Sequence, residues 1–157
     1  MTIGRRVKRG RGGDLQLRLP AEERELLRGL PAQLRTLLDQ ESEDPALRRL
    51  FPPAYVENPE HESEFRRLMG EDLREKHLSA LAVLEETVDA DRLSPEQAHG
   101  WLAALNDLRL VLGTRLDVSE EMLGEEIDPD DPDAPALALY GYLSWLQEQL
   151  VEALTAS

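Results

Sequence analysis

Basic side chains at the start of the chain are the residues whose type and spacing best suit binding chemistry. Residues 1–19 hold six of them and one acid, Asp14, so the local net charge is +5. The six are Arg5, Arg6, Lys8, Arg9, Arg11 and Arg18. Such residues pair with phosphates, and Arg5 and Arg6 could instead enter a DNA minor groove. This segment, the basic arm, is therefore a candidate contact for a nucleic acid or for an acidic partner protein.

Acids of the same chain compete for the basic arm. No lysine or arginine follows Arg115, whereas acids continue from Asp117 to Glu152. The acids with no nearby cation in the sequence include Asp128, Asp130, Asp131 and Asp133. Pairing with them, or plain solvation, is the alternative to an external partner. The net charge of −14 opposes general adhesion to DNA or anionic lipid, so we expect any nucleic-acid contact to be local.

Two further arginines, Arg109 and Arg115, lie along an apolar helical stripe. Arg109 follows Leu105 by four residues, and Arg115 follows Leu112 by three. An arginine beside a core binds a carboxylate or a phosphate. We predict a structural ion pair, with an anionic ligand as the alternative. The candidate carboxylates are Asp107, Glu148 and Glu152.

Tyr142 and Trp145 form an aromatic pair one helical turn apart. Trp145 falls one position off a leucine stripe, whereas Trp101 lies on its own stripe and is expected in the core. Amphipathic aromatic side chains are frequent at interfaces. We predict that Trp145 covers the N-terminal hairpin or lines a partner surface with Tyr142.

No residue pattern predicts catalysis, a metal site or a cofactor. The chain has no cysteine, which excludes disulfides, thiolate nucleophiles and thiol redox sensing. His77 lies on an apolar stripe and is expected to be a satisfied core residue. Glu96 and His99 form half of a di-iron bundle motif, and the second half is absent. We therefore predict a protein that is not an enzyme.

The basic arm is predicted to form a β-hairpin. Leu15, Leu17 and Leu19 alternate with polar residues, and three glycines precede them. Alternating leucines require a buried face, which favours the hairpin over a disordered tail up to Gly13.

The rest of the chain is predicted to be helical. Four helix starts combine a capping side chain with a following proline, which suits the first helical position. They are Asp44–Pro45, Asn58–Pro59, Ser94–Pro95 and Asp131–Pro132. Apolar periodicity then predicts helices over 21–39 (kinked or split at Gly29–Pro31), 45–50, 60–88, 95–112 and 136–154, with an acidic loop near 125–135.

Together these elements predict a mainly α fold: an antiparallel helical bundle with a short N-terminal β-hairpin, in a single domain over 1–157. No apolar run is long enough for a secretory signal or a membrane span, so we expect a cytoplasmic protein. A helix-turn-helix is not supported. The short helix 45–50 has Arg48, Arg49, Arg66 and Arg67 nearby, but the break after it is too long for a tight turn.

The segment from Trp101 to Leu116 is the most distinctive in the chain. Together with Arg49–Pro52 and Tyr140–Glu148, it resembles an actinobacterial family of domains of unknown function. Some members of that family are named oxidative-stress transcriptional regulators of the AosR type. The resemblance spans about residues 14–155. It implies a cytoplasmic regulator or accessory protein, although thiol sensing is excluded here because the chain has no cysteine.

These observations predict a non-enzymatic cytoplasmic regulatory protein. We expect it to act mainly through protein contacts, with DNA contact by the basic arm in second place. The alternative is a protein–protein adaptor without nucleic-acid binding. Whether the chain forms a homo-oligomer stays open at this stage.

Overall fold

A computed structural model of the chain describes residues 5–39, 59–116 and 130–155. For Arg11, Asp39, residues 59–71, Arg115 and Leu116 it describes the backbone alone. Some sequence predictions therefore lie outside the described residues. They are the helix 45–50 with Arg48 and Arg49, the side chains of Arg66, Arg67 and Arg115, and loop residues 125–129.

The chain begins with the predicted β-hairpin. β1 (Val7–Arg9) pairs antiparallel with β2 (Leu15–Leu17). The connection contains a 3-10 turn in which Gly12 and Gly13 have φ of 79° and 90°, values that glycine adopts without strain. Strand alternation sends Val7 and the two leucines of β2 into the core, where each is at most 2% exposed.

Four helices follow in the described ranges, and their bounds agree closely with the sequence prediction. They are α1 (Ala21–Asp39), α2 (Pro59–Thr87), α3 (Pro95–Leu116) and α4 (Ala134–Thr155). Within these ranges, no helix combines the length and the apolar character that crossing a bilayer requires.

Two helices continue past a position where a break was predicted, because packing outweighs the local signal. α1 continues through Pro31, so the predicted split is absent; Leu27 and Leu34 are buried on either side of the proline. α3 continues through Gly113 to its end at Leu116. A side chain at Gly113 would lie 2.9 Å from the ring of Tyr140, so glycine lets α4 approach α3 closely.

The start of α3 has the predicted capping box. The Ser94 hydroxyl accepts a hydrogen bond from the Gln97 backbone N–H at 3.1 Å, and the Gln97 side chain accepts one from the Ser94 N–H at 2.9 Å. At α4, Asp131 accepts from the Asp133 N–H at 2.9 Å, and the helix begins at Ala134, two residues after the expected proline.

A third strand, β3 (Arg92–Leu93), was not predicted. It pairs antiparallel with β2, giving the order β1-β2-β3 with Gln16 opposite Arg92. Two residues are too few for alternation to be visible in a sequence. The strand forms because Leu93 is fully buried beside Leu15, which holds the loop after α2 against the hairpin.

Trp101 lies at the centre of the core, as predicted. It is fully buried on α3, and its indole N–H donates to the hydroxyl of Thr87 on α2 at 2.6 Å. α3 packs against both α2 and α4. The short connection from α2 to α3 and the contact of Gly113 with Tyr140 make these neighbours antiparallel, which confirms the predicted bundle.

Candidate functional site at the N-terminal sheet

Arg6 is the residue through which the basic arm docks on the helices. Its Nε donates to both carboxylate oxygens of Glu23 on α1, at 3.1 and 3.0 Å, and its Nη2 lies 2.9 Å from one of them. The two side chains are only 18% and 20% exposed. A fork-like, shielded ion pair of this kind is stronger than an open surface pair. Glu23 lies in the first turn of α1 and was not identified as a site residue from the sequence.

Both aromatic residues predicted for a partner surface contact this ion pair. The Arg6 guanidinium lies 5.5 Å from the centre of the Trp145 ring, within cation–π range. Tyr142 donates its hydroxyl to Glu23 at 2.7 Å. Trp145 therefore covers the hairpin, which was one of the two expected roles. Both side chains are half-buried, so each also retains some exposed area.

The electrostatics of this cluster stabilise one protonation state. The hydrogen bond to Glu23 raises the pKa of Arg6, against a smaller effect of burial. Burial, followed by the hydrogen bond to Glu23, raises the pKa of Tyr142 far above its ordinary value. Arg6 thus stays charged and the Tyr142 phenol stays neutral, an arrangement suited to structure rather than to proton transfer at neutral pH.

Gln149 on α4 holds the open edge of β1. Its side-chain oxygen accepts hydrogen bonds from the backbone N–H groups of Arg6 at 2.6 Å and Val7 at 3.1 Å. Gln149 is 8% exposed. A sequence signal existed: a glutamine within the buried leucine stripe of α4 is a buried polar group that needs a partner.

Arg24 fastens the end of α2 to the sheet. Its guanidinium donates to the carbonyls of Leu19 at 3.0 Å, Val88 at 2.9 Å and Ala90 at 3.0 Å. It also lies 3.6 Å from Asp91, whose side chain is 96% exposed. No spacing in the sequence indicates this role, because the carbonyls of Val88 and Ala90 are more than 60 residues away.

Cations and an amide share the outer face of the sheet. Lys8, Gln16 and Arg92 stand side by side across the three strands, and alternation turns their side chains away from the core. Arg18 follows on the same face and donates to the Gln16 side chain at 3.3 Å. We call these four residues the outer sheet face. Lys8, Arg18 and Arg92 are exposed.

The structure thus divides the basic arm into an anchored part and an outward part. Arg6 is anchored to Glu23, and Arg5 pairs with Glu152 at 3.2 Å on the surface. These acids lie on α1 and α4 rather than in the acidic loop considered from the sequence. Lys8, Arg9 and Arg18 are exposed, and the side chain of Arg11 lies outside the described residues.

Arg109 bonds to an amide on its own helix instead of to one of the predicted carboxylates. Its Nη2 donates to Asn106 at 3.4 Å, and its Nε is buried with no hydrogen-bond partner. Asp107, one of the candidate partners, lies 2.6 Å from Nδ1 of His77 on α2. His77 is thus half-buried against α3, near the expected core position, with a carboxylate partner that spacing did not indicate.

The described residues offer no grouping for metal chemistry. Among them, no three histidine or carboxylate side chains come together as a metal site would require.

An apolar pocket of about 90 Å³ lies between α1, α3 and α4, lined by residues such as Leu34, Leu108 and Leu143. It holds no titratable side chain among its lining residues, so it offers no acid–base chemistry.

Comparison with known proteins places the chain beside a set of regulators. A family model described as "Domain of unknown function (DUF2017)" matches residues 4–154. Relatives in Mycobacterium bovis and Mycobacterium tuberculosis, named oxidative stress regulator AosR, are 30% identical over 88% of this chain and 69% of their own. A Mycobacterium leprae relative is 31% identical with the same coverage, and its name makes the same assignment provisionally. No solved structure matches the chain significantly.

Proposed function

Because this chain belongs to the family described as a domain of unknown function (DUF2017) and is similar to proteins named oxidative stress regulators, we propose that it is a regulatory protein that acts mainly through contacts with a partner protein. The observation that carries the proposal is the 30% identity to those regulators across 88% of the chain. The proposed location is the cytoplasm, and the proposed action is non-enzymatic.

The charge distribution supports protein contact ahead of DNA contact. The net charge of −14 repels a polyanion over most of the surface. Arg5 and Arg6, the two residues considered for a minor groove, instead contact Glu152 and Glu23. DNA contact by the remaining cations of the basic arm is the secondary part of the proposal.

Any redox sensing by this chain needs a route other than its own thiols. The chain contains no cysteine but has three methionines, so an oxidant would act on a methionine or on a partner.

Removal of the gene in its host, followed by transcript measurement before and after peroxide treatment, tests the regulatory role. We expect the transcriptional response to change and a wild-type copy to restore it. Unaltered transcripts in the deletion strain would contradict the proposal. Altered protein levels with unaltered transcripts would instead support the alternative function, an adaptor without nucleic-acid contact.

A further inference from the structure

We propose that the outer sheet face (Lys8, Gln16, Arg18 and Arg92) docks an acidic, extended segment of a partner protein. This inference rests on the proposed function, because it assigns the surface and the chemistry of the protein contact. The surface differs from the one that the sequence indicated: Arg92 belongs to it, whereas Arg5 and Arg6 do not.

The sheet geometry spaces the charges for such a segment. Neighbouring strands lie about 4.8 Å apart, so the backbones of Lys8 and Arg92 lie about 10 Å apart with Gln16 between them. Arg18 is two residues beyond Gln16, a step of about 7 Å along the strand. The backbones of Lys8 and Arg92 therefore each lie about 8 Å diagonally from that of Arg18, close to the step of about 7 Å between carboxylates at alternate positions of an extended peptide. The Gln16 amide can donate to or accept from the peptide between the charges.

Among the residues that the structure describes, the cations of this face have no acidic partner, although acids are in excess. The chain has 32 acidic residues against 18 lysines and arginines. Cations on the helices form ion pairs with some of these acids: Arg28 pairs with Asp89 at 2.7 Å and Arg35 with Glu85 at 2.7 Å. Within the described residues, no carboxylate lies within ion-pair distance of Lys8, Arg18 or Arg92, and the adjacent Asp91 is directed to Arg24 instead.

The charge density of the ligand favours an acidic peptide over duplex DNA as the occupant of this face. Duplex DNA carries one negative charge per about 1.7 Å, so a stretch of about 20 Å brings roughly twelve charges against an acidic body. An acidic peptide places about three carboxylates on the same length, enough to meet the cations with far less repulsion from the rest of the protein. The outer sheet face also has no aromatic side chain on which a base could stack. The observations therefore favour an acidic peptide over a nucleic acid.

Binding of defined probes to the full chain tests this surface. The probes are a short labelled peptide of alternating glutamate and serine, the same peptide with glutamine in place of glutamate, and a short duplex DNA. Fluorescence anisotropy at low salt measures each affinity. We expect saturable binding of the glutamate peptide, weakened by added salt, and much weaker binding of the other two probes.

A matched pair of triple variants locates the binding. Lys8→Gln, Arg18→Gln and Arg92→Gln together should weaken peptide binding by about tenfold, since each exposed ion pair contributes modestly. Arg28→Gln, Arg35→Gln and Lys76→Gln together change the net charge equally, on α1 and α2, and should weaken it by less than about twofold. Melting temperatures verify folding. If the first triple variant is unfolded, the test uses Arg92→Gln alone. This variant should weaken peptide binding by about twofold.

Several outcomes would overturn the inference. They are the absence of saturable peptide binding, an equal loss in both triple variants, and tighter binding of the duplex through the same residues, which would make the face a nucleic-acid surface. The deletion strain separates this failure from that of the proposed function. If wild type restores the peroxide response and the Lys8, Arg18 and Arg92 variant restores it equally, the docking face is wrong and the regulatory role stands.

Discussion

At the scale of single residues, the hairpin is held by a few side chains that each satisfy several groups. Arg6 contacts Glu23 and Trp145, and Gln149 accepts from two backbone N–H groups at once. A buried N–H group without an acceptor costs more free energy than a hydrogen bond normally contributes. These residues therefore stabilise the sheet mainly because they prevent that desolvation penalty.

Replacement of Gln149 tests this view. Gln149→Met keeps the shape of the side chain but leaves the N–H groups of Arg6 and Val7 without an acceptor, which should cost about 1–3 kcal/mol in the free energy of unfolding. Urea denaturation measures the change. Gln147→Met on the same helix is the control: the Gln147 side-chain oxygen is buried with no partner, so its loss should be neutral or stabilising. Equal losses in both variants would contradict the argument.

The burial of the Tyr142 phenol should make the free energy of unfolding depend on pH in the alkaline range. Burial raises the pKa of Tyr142 in the folded protein, whereas an unfolded tyrosine ionises near pH 10. Above about pH 10 the unfolded chain releases this proton while the folded chain retains it, so the contribution of Tyr142 is complete below that pH and declines above it. The stability advantage of wild type over Tyr142→Phe should therefore shrink as the pH rises.

Denaturant unfolding at a series of pH values measures this advantage. Tyr140→Phe, which leaves Tyr142 in place, is the control and should retain the alkaline decline. A constant difference between wild type and Tyr142→Phe across the range would show that the phenol is not shielded in solution.

At the scale of elements, the helices pack closely where glycine removes a side chain. A Cβ at Gly100 on α3 would lie 2.8 Å from a methyl group of Val83 on α2 and 3.1 Å from its Cβ. The Val83 Cβ is fixed to its helix backbone, so a larger residue at Gly100 must move α2 and α3 apart. Gly100 directly precedes Trp101 on α3, so this contact determines how the central helix packs in the core.

Alanine substitutions at two helical glycines distinguish the effect of packing on stability from the effect of helix propensity. Gly100→Ala should lose about 1–3 kcal/mol through overpacking, offset in part by the better helix propensity of alanine. Gly141→Ala on α4 meets no atom within 4 Å and should gain up to about 1 kcal/mol. Urea denaturation measures both. A gain at Gly100 as large as that at Gly141 would contradict the close approach of the two helices.

At the scale of the whole molecule, charge is sorted by position. Residues 20–157 hold 31 acids and 12 basic residues, a net charge of −19, against +5 for residues 1–19. The outer sheet face concentrates exposed cations at the N-terminal sheet. Self-repulsion of the acidic body opposes the folded state and weakens as salt screens it.

Thermal stability should therefore rise with sodium chloride between about 0.01 M, where the screening length is about 30 Å, and about 0.15 M, where it is about 8 Å. Each kcal/mol gained raises the melting temperature by about 2–4 °C for a chain of this size. Glu86→Gln with Glu148→Gln, two exposed acids on α2 and α4, should reduce the salt dependence. A melting temperature that falls with salt would mean that ion pairs such as Arg6–Glu23 outweigh the repulsion.

The sequence by itself determined the four helices, the hairpin and the distribution of charge along the chain. Apolar periodicity placed α1 over 21–39, the Ser94–Gln97 capping box placed the start of α3, and alternating leucines placed β2. These features depend on residues within one or two turns of one another, so a linear pattern contains them in full.

The tertiary structure alone decided which groups meet. Arg6 and Gln149 are 143 residues apart, and β3 is a strand merely because Leu93 is buried beside β2. The outer sheet face depends on that same pairing, which brings Arg92 into line with Lys8. Such contacts form when whole elements pack their apolar faces together, and local spacing carries no record of which polar groups that packing brings into reach.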